Sequence, residues 1–215
     1  MTDRRPPRPE RPLRVAVLLS GNGSTLENLL AHIDAGRVPA EVTAVLSSKR
    51  DAFGLERAER RGIPAVAVHR RSFRDATAFQ DALHAELARF DVDLVACLGF
   101  LSLFELRGKY EGRAINTHPA LIPAFSGQGF YGAHVHRAVI ERGAKLSGAT
   151  VHFLDEVYDH GPILLQEAVP VLESDTPDTL AARVQAVERR IVPEAVKLLA
   201  EGRVHIVGRR VRIER

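Results

Sequence analysis

The 215-residue chain contains one cysteine, one methionine, no tryptophan and three tyrosines. A single thiol, Cys97, forms no internal disulfide and excludes a Cys-rich zinc site; this usage fits a reducing cytoplasm. No apolar run approaches about 18 residues, so a spanning helix is not expected. The opening MTDRRPPRPERPLR lacks the roughly 7–15-residue apolar segment of a secretory leader. With 45% apolar and 27% charged residues, the chain is not a disordered one. At roughly 150 residues per domain, its length suits one domain, or one with a small appendage.

Net charge is +3, and its placement matters more than its size. Residues 1–14 carry +3 and residues 203–215 carry +4, which leaves −4 for the body between them. The basic character belongs to the two ends. No aromatic residues interleave with these arginines for base stacking, which argues against nucleic acid. Residues 1–13, with Pro6, Pro7, Pro9 and Pro12, read as a flexible solvated arm, and 14–215 as one domain.

Short apolar runs alternate with helical patterns. Strands are expected at 14–19, 41–46, 65–68 and 93–98. Helices are expected at 25–34, 54–61 and 72–90, where Leu26, Leu29, Leu30 and Ile33 mark the face of the first. This rhythm specifies βαβ units and an α/β fold whose mainly parallel central sheet is buried on both faces. Beyond Gly99 a short helical stretch ends near Tyr110. A strand at 113–117, an irregular Gly/Pro-rich loop at 119–131 and a helix at 132–142 follow. Paired strands at 145–154 and 162–171 precede a long helix at 175–202, which Thr176 caps and Pro177 begins, with Pro193 expected to kink it. Residues 204–213 read as a C-terminal hairpin.

Three motifs carry chemistry. Ser20-Gly21-Asn22-Gly23-Ser24-Thr25 joins the first strand to the first helix, where free N–H groups and the helix dipole favour an anion such as a phosphate. It is neither a dinucleotide fingerprint, since Leu26 stands where a third Gly belongs, nor a Walker loop, since Gly-Lys-Ser/Thr is missing. An ordinary capped turn is the plain alternative. Asn116-Thr117-His118-Pro119 ends a strand; Asn116 and His118 share a face and suit an oxyanion, while His118 also suits proton transfer near neutral pH. The alternative is a structural histidine. Asp155-Glu156-Val157-Tyr158-Asp159-His160-Gly161-Pro162 supplies a carboxylate that, beside His118, would raise its pKa and orient its ring; otherwise it is a solvated turn. Five of the nine histidines lie between 118 and 160, yet His134 and His136 point about 200° apart on a helix and do not chelate together. No metal is expected. Cys97, inside an apolar strand, reads as an inert buried thiol.

Taken together, SGNGS, DAFGLERA (51–58), LGF (98–100), INTHPALIPAF (115–125), GATVHF (148–153) and DHGPILLQ (159–166) resemble the phosphoribosylglycinamide formyltransferase family, from about Arg14 to about Val204. The resemblance implies a Rossmann-like formyltransferase fold, with a phosphate-binding half at 14–100 and a catalytic, folate-binding half at 101–215. It implies cytoplasmic formyl transfer from 10-formyltetrahydrofolate, a co-substrate, to the amine of 5-phosphoribosylglycinamide in purine biosynthesis. Asn116, His118 and Asp159 are then catalytic, with Asp159 keeping His118 protonated. Gly23, Ser24, Thr25, Gln185 and Glu188 bind the glycinamide substrate. Leu101, Ser102, Leu103 and Phe104, with Asn116 and the turn Asp155, Glu156, Val157, Tyr158 and Asp159, bind folate. Thr25, Ser102 and Ala76 depart from the family's common Asn, Arg and Arg, and the loop 126–131 is longer than in some relatives and a candidate lid. The alternatives are a 10-formyltetrahydrofolate hydrolase and an amino-sugar N-formyltransferase; partners are small molecules, with no membrane, and the state monomer or homodimer.

Overall fold

The computed structural model describes residues 3, 4 and 11–214. After the two-residue strand β1 (Asp3–Arg4) come β2 (Leu13–Leu19), β3 (Ala40–Ser47), β4 (Ala65–Ala67), β5 (Leu94–Cys97) and β6 (Ala114–His118). These last five are parallel, and β7 (Leu146–Phe153) and β8 (Ile163–Pro170) extend the sheet antiparallel, in the order β4-β3-β2-β5-β6-β7-β8. A separate hairpin, β9 (Val204–Val207) and β10 (Arg210–Ile213), pairs with β1 through β9.

Strand β2 is buried on both faces, as a central parallel strand must be. Val15, Val17 and Leu19 join one core with the helices α1 (Ser24–Asp34), α2 (Phe53–Glu59), α4 (Ala133–Glu141) and α5 (Pro177–Ala200). Their neighbours Ala16 and Leu18 join the opposite core with Phe79, Leu83 and Leu87 of α3 (Ala76–Leu87). The two-residue period of the strand thus divides one apolar run between two cores. Helix α5 opens as expected: Thr176 and Thr179 form a reciprocal capping box with Pro177 at the first turn, and the helix continues through the buried Pro193.

Four expectations need correction. The helix expected from 72 begins only at Ala76, because the Asp75 carboxylate accepts from Ala78 N at 2.8 Å and Phe73 is extended. The helical stretch expected before Tyr110 is a set of turns, tied by Leu106 O to Lys109 N and Tyr110 N. The arm is not simply solvated: Asp3–Arg4 pairs with β9, and Arg11 donates to Asp93 at 2.7 Å. Leu13, assigned to the arm, is the buried first residue of β2. Residues 5–10 lie outside the described residues.

The chain proceeds from β2 to β3 and β4 on one side, then returns to β5 and β6 on the other. Such a reversal opens a crevice at the carboxyl ends of β2 and β5, the usual ligand site of an open α/β sheet. Beyond the crevice the turn after β7 is held tightly. A Cβ on Gly161 would overlap the Phe153 carbonyl, and Phe153 N donates to Pro162 O at 2.8 Å. Gly161→Ala should therefore lower stability by about 2 kcal/mol or more, from overpacking against backbone. Gly36→Ala, with φ 68° but open space around it, should cost only about 1 kcal/mol from the left-handed conformation. Urea midpoints of the two variants, compared with the parent, give the ranking.

Candidate active site

A cavity of about 870 Å³ occupies the crevice. At one end α1 begins. Its N-cap is Gly23, at φ 74°, which offers no side-chain cap, so the N–H groups of the first turn face outward with the helix dipole behind them. Gly23 is required by a close approach as well: a Cβ there would lie 2.7 Å from Gly54 Cα. The DAFGLERA segment explains itself here. Gly54 N donates to Gly21 O at 3.1 Å, and Arg57 donates to Asn22 O at 2.9 Å and Asn22 Oδ1 at 3.0 Å. Arg57 and Arg61 also bond Glu27 in the first turn of α1; Arg61 foremost holds that carboxyl below its usual range. The loop is thereby supported from behind by residues that carry no chemistry themselves.

In the middle of the cavity three motif residues converge. Asn116 Nδ2 donates to Asp159 Oδ1 at 3.3 Å and to His152 Nε2 at 3.1 Å, the Nδ1 of His152 being committed to the Phe153 carbonyl at 2.8 Å. His118 donates through Nε2 to the Phe125 carbonyl at 2.8 Å and turns Nδ1 toward Asp159 Oδ2 at 3.4 Å. Gly127 N donates to that same carboxylate oxygen at 2.9 Å. Burial pushes the Asp159 carboxyl up, but the His152 ring, the His118 charge and the Gly127 N–H outweigh it and hold it below the usual range.

His118 goes the other way. Burial lowers its pKa and prevails over Asp159 and the Phe125 carbonyl, which both raise it. Asp159 raises the His118 pKa as expected, but burial outweighs it and the net direction is down, with Nδ1 facing the carboxylate. A proton gained at Nδ1 would meet Asp159 Oδ2 directly.

Gly23, Ser24 and Thr25, Gln185 and Glu188, Leu101 to Phe104, Val157 and Tyr158 all line the same cavity. Asp155 and Glu156 do not. Asp155 instead accepts from Val157 N at 2.9 Å and His160 Nδ1 at 2.6 Å, shaping the turn. The Phe104 ring is buried and stacked on His84, so the segment offers backbone rather than that ring. Leu103 O is already taken by Gln80 Nε2 at 2.6 Å. Leu101, Tyr131, Val157 and Tyr158 leave apolar surface exposed near the mouth.

Three lining residues escaped the sequence reading. His152 lies inside a quoted motif, yet only the pairing of β7 with β6 sets it opposite Asn116. His136 is buried with Nδ1 unpartnered, and burial followed by the His118 charge lowers its pKa. Lys49, after β3, is the one Lys or Arg lining the cavity among the described residues. Cys97 is an inert thiol as expected, pushed far upward by burial.

Comparison with known proteins agrees with the geometry. The chain belongs to the formyl transferase family, whose sequence model matches residues 13–196. Its relatives include the phosphoribosylglycinamide formyltransferase of Escherichia coli (strain K12), 36% identical over 194 residues, 89% of each chain. The solved glycinamide ribonucleotide transformylase 1 of Symbiobacterium toebii superposes with a TM-score of 0.89 at 43% identity, covering 96% of both chains. The trifunctional purine biosynthetic protein adenosine-3 of Gallus gallus is 39% identical over 90% of this chain, which spans only 19% of that longer protein.

Glu188, on α5, carries the cavity's other carboxyl. Burial pushes it up to about 7; the Thr117 hydroxyl opposes this slightly without completing a hydrogen bond. Because its folded value lies above the unfolded one, its contribution to stability is full below the unfolded value near 4.5 and is lost as pH rises through about 7. Glu188→Gln should therefore gain stability over the parent between pH 5 and pH 8. Urea unfolding at both values measures this; a difference that does not grow with pH contradicts it.

Proposed function

We propose that the chain transfers a formyl group from 10-formyltetrahydrofolate to the amine of 5-phosphoribosylglycinamide, yielding formylglycinamide ribonucleotide and tetrahydrofolate in cytoplasmic purine biosynthesis. One observation carries the reading. A single cavity joins an uncapped helix N-terminus to Asn116, His118 and Asp159, so an anionic end and a reacting carbonyl fit one ligand-binding space.

In this reading the N–H groups at Gly23–Thr25 take the 5′-phosphate. Gln185 and Glu188, three residues apart on α5, meet the ribose and glycinamide. Leu101–Phe104 and Val157–Asp159 take the pterin, its edges read by backbone groups and its faces by apolar ones. The amine attacks the formyl carbon directly, with no covalent enzyme intermediate. Negative charge grows on the formyl oxygen, and Asn116 Nδ2 turns to it from its long 3.3 Å bond to Asp159. His118 Nε2 exchanges the Phe125 carbonyl for the same oxygen. The proton lost by the amine reaches Nδ1 of the neutral ring, where Asp159 stabilises the imidazolium, and it then passes to the departing folate nitrogen.

The test is a formyl-transfer assay, with and without the glycinamide. Product only with the acceptor supports the reading. Tetrahydrofolate and formate without it mean a hydrolase, and no turnover in either tube points to an amino-sugar acceptor. His118→Ala and Asp159→Ala should each lower turnover at least ~100-fold with little change in substrate binding; near-normal turnover in either removes its role. Glu188→Ala should weaken glycinamide binding more than folate binding in paired titrations. Lys49→Ala should raise the KM of one anionic substrate about tenfold with kcat held, since one lost charge-assisted contact is worth about 1.4 kcal/mol.

A further inference from the structure

The C-terminal hairpin reaches the turn that carries Asp159. Arg209, between β9 and β10, donates from Nη2 to the His160 carbonyl at 2.6 Å and from Nη1 to His160 Nε2 at 3.0 Å. The other ring nitrogen of His160 bonds Asp155 Oδ2 at 2.6 Å. A carboxylate accepts, so Nδ1 donates to Asp155. Arg209 Nη1 lies close to both ring nitrogens, 3.3 Å from Nδ1 and 3.0 Å from Nε2, so the directed bond of this guanidinium is the one to the His160 carbonyl. A guanidinium suits the place because one nitrogen bonds the His160 carbonyl while another rests against the His160 ring, which an ammonium on one stem does not match.

These bonds close on the residue next to a strained one. Asp159 has φ 52°, a left-handed conformation that a non-glycine residue keeps only where its surroundings impose it. Gly161, wedged against the Phe153 carbonyl, constrains the turn on one side. The Arg209 contact to the His160 carbonyl constrains it on the other. We infer that Arg209 is a positioning residue for the proposed reaction: by gripping the His160 carbonyl it holds the Asp159 backbone in the conformation that aims its carboxylate at Asn116 and His118. The inference rests on the reading of Asn116, His118 and Asp159 as the catalytic group. It gives the basic C-terminal segment a task that charge alone does not explain.

Arg209 and His160 are exposed, and exposed ionic contacts are weak. The clamp therefore refines a turn that Gly161 and the Gly127 N–H already shape, and its loss should cost turnover on the order of tenfold rather than abolish it. The experiment uses the full chain with Arg209→Ala, and Arg210→Ala as a control from the same hairpin. In formyl transfer, Arg209→Ala should lower kcat at least threefold, with both KM values within twofold and an unchanged urea midpoint, and Arg210→Ala should match the parent. A second readout needs no activity. The groups facing His118 are Asp159, which raises its pKa, and His152 and His136, which are cations when protonated. Loosening Asp159 weakens the larger of the two raising partners and leaves the Phe125 carbonyl in place, so the His118 titration followed by ¹⁵N NMR should move to lower pH in Arg209→Ala. A kcat within threefold of the parent, an equal loss in Arg210→Ala, or an unmoved His118 titration each overturns the inference. A parent enzyme with no formyl transfer instead overturns the proposed function, and the NMR arm still decides whether Arg209 places Asp159.

Discussion

A carboxylate removed from water must be surrounded by donors, or its burial costs several kcal/mol. Asp159 is such a group, its side chain only 9% exposed, and much of the cavity is arranged around it. The amide of Asn116 comes from β6 and the Gly127 N–H from the loop that precedes α4, while the His152 ring of β7 lies 3.6 Å away. Three stretches distant in sequence are brought to one charge. Remove the charge and each of them loses the partner that sets its orientation. The antiparallel pairing of β6 with β7 brings Asn116 and His152 side by side, and the buried anion lies against both.

The same dryness governs two more titrating groups of the cavity, His118 and Glu188, in opposite senses of charge. It lowers the pKa of His118 and pushes that of Glu188 up to about 7. A neutral imidazole facing an ionised carboxylate is a base whose conjugate acid already has its partner in place. In the proposed reaction, a carboxyl that ionises near 7 would suit an amine that arrives as an ammonium and reacts as a free base. Each property follows from how little water reaches the crevice, and neither needs a metal or a covalent nucleophile to be useful.

Much of this was legible before any coordinates. The alternation of apolar strands with helical faces specified the parallel sheet, and Thr176-Pro177 announced α5. Asn116, His118 and Asp159 stood out because their side chains suit one reaction. What escaped reading has a common physical character: contacts between side chain and backbone across long sequence gaps. Arg57 bonds Asn22, Thr150 donates to Ala120 O at 2.6 Å, and Gln166 donates to Ile122 O at 3.0 Å. Each braces a loop, and nothing in local pattern marks Thr150 or Gln166 as a brace. The late start of α3 escaped for a different reason. Phe73 continues the apolar spacing of the helix although it packs from extended chain, so periodicity alone overran the Asp75 cap. The net lowering of the His118 pKa was not legible because Asp159 is visible in sequence and desolvation is not.

The position of Glu188 on the last long helix has a consequence for the order in which the protein is made. Strands β2, β3 and β5 and the phosphate-type loop lie within the first 97 residues and can associate while synthesis continues. The cavity they open has no α5 wall until some ninety residues later. A nascent chain stalled before that point would present the bare N-terminus of α1 and the apolar inner face of the sheet to solvent. The crevice therefore stays half-built while those ninety residues are made, and α5 is the helix that closes it.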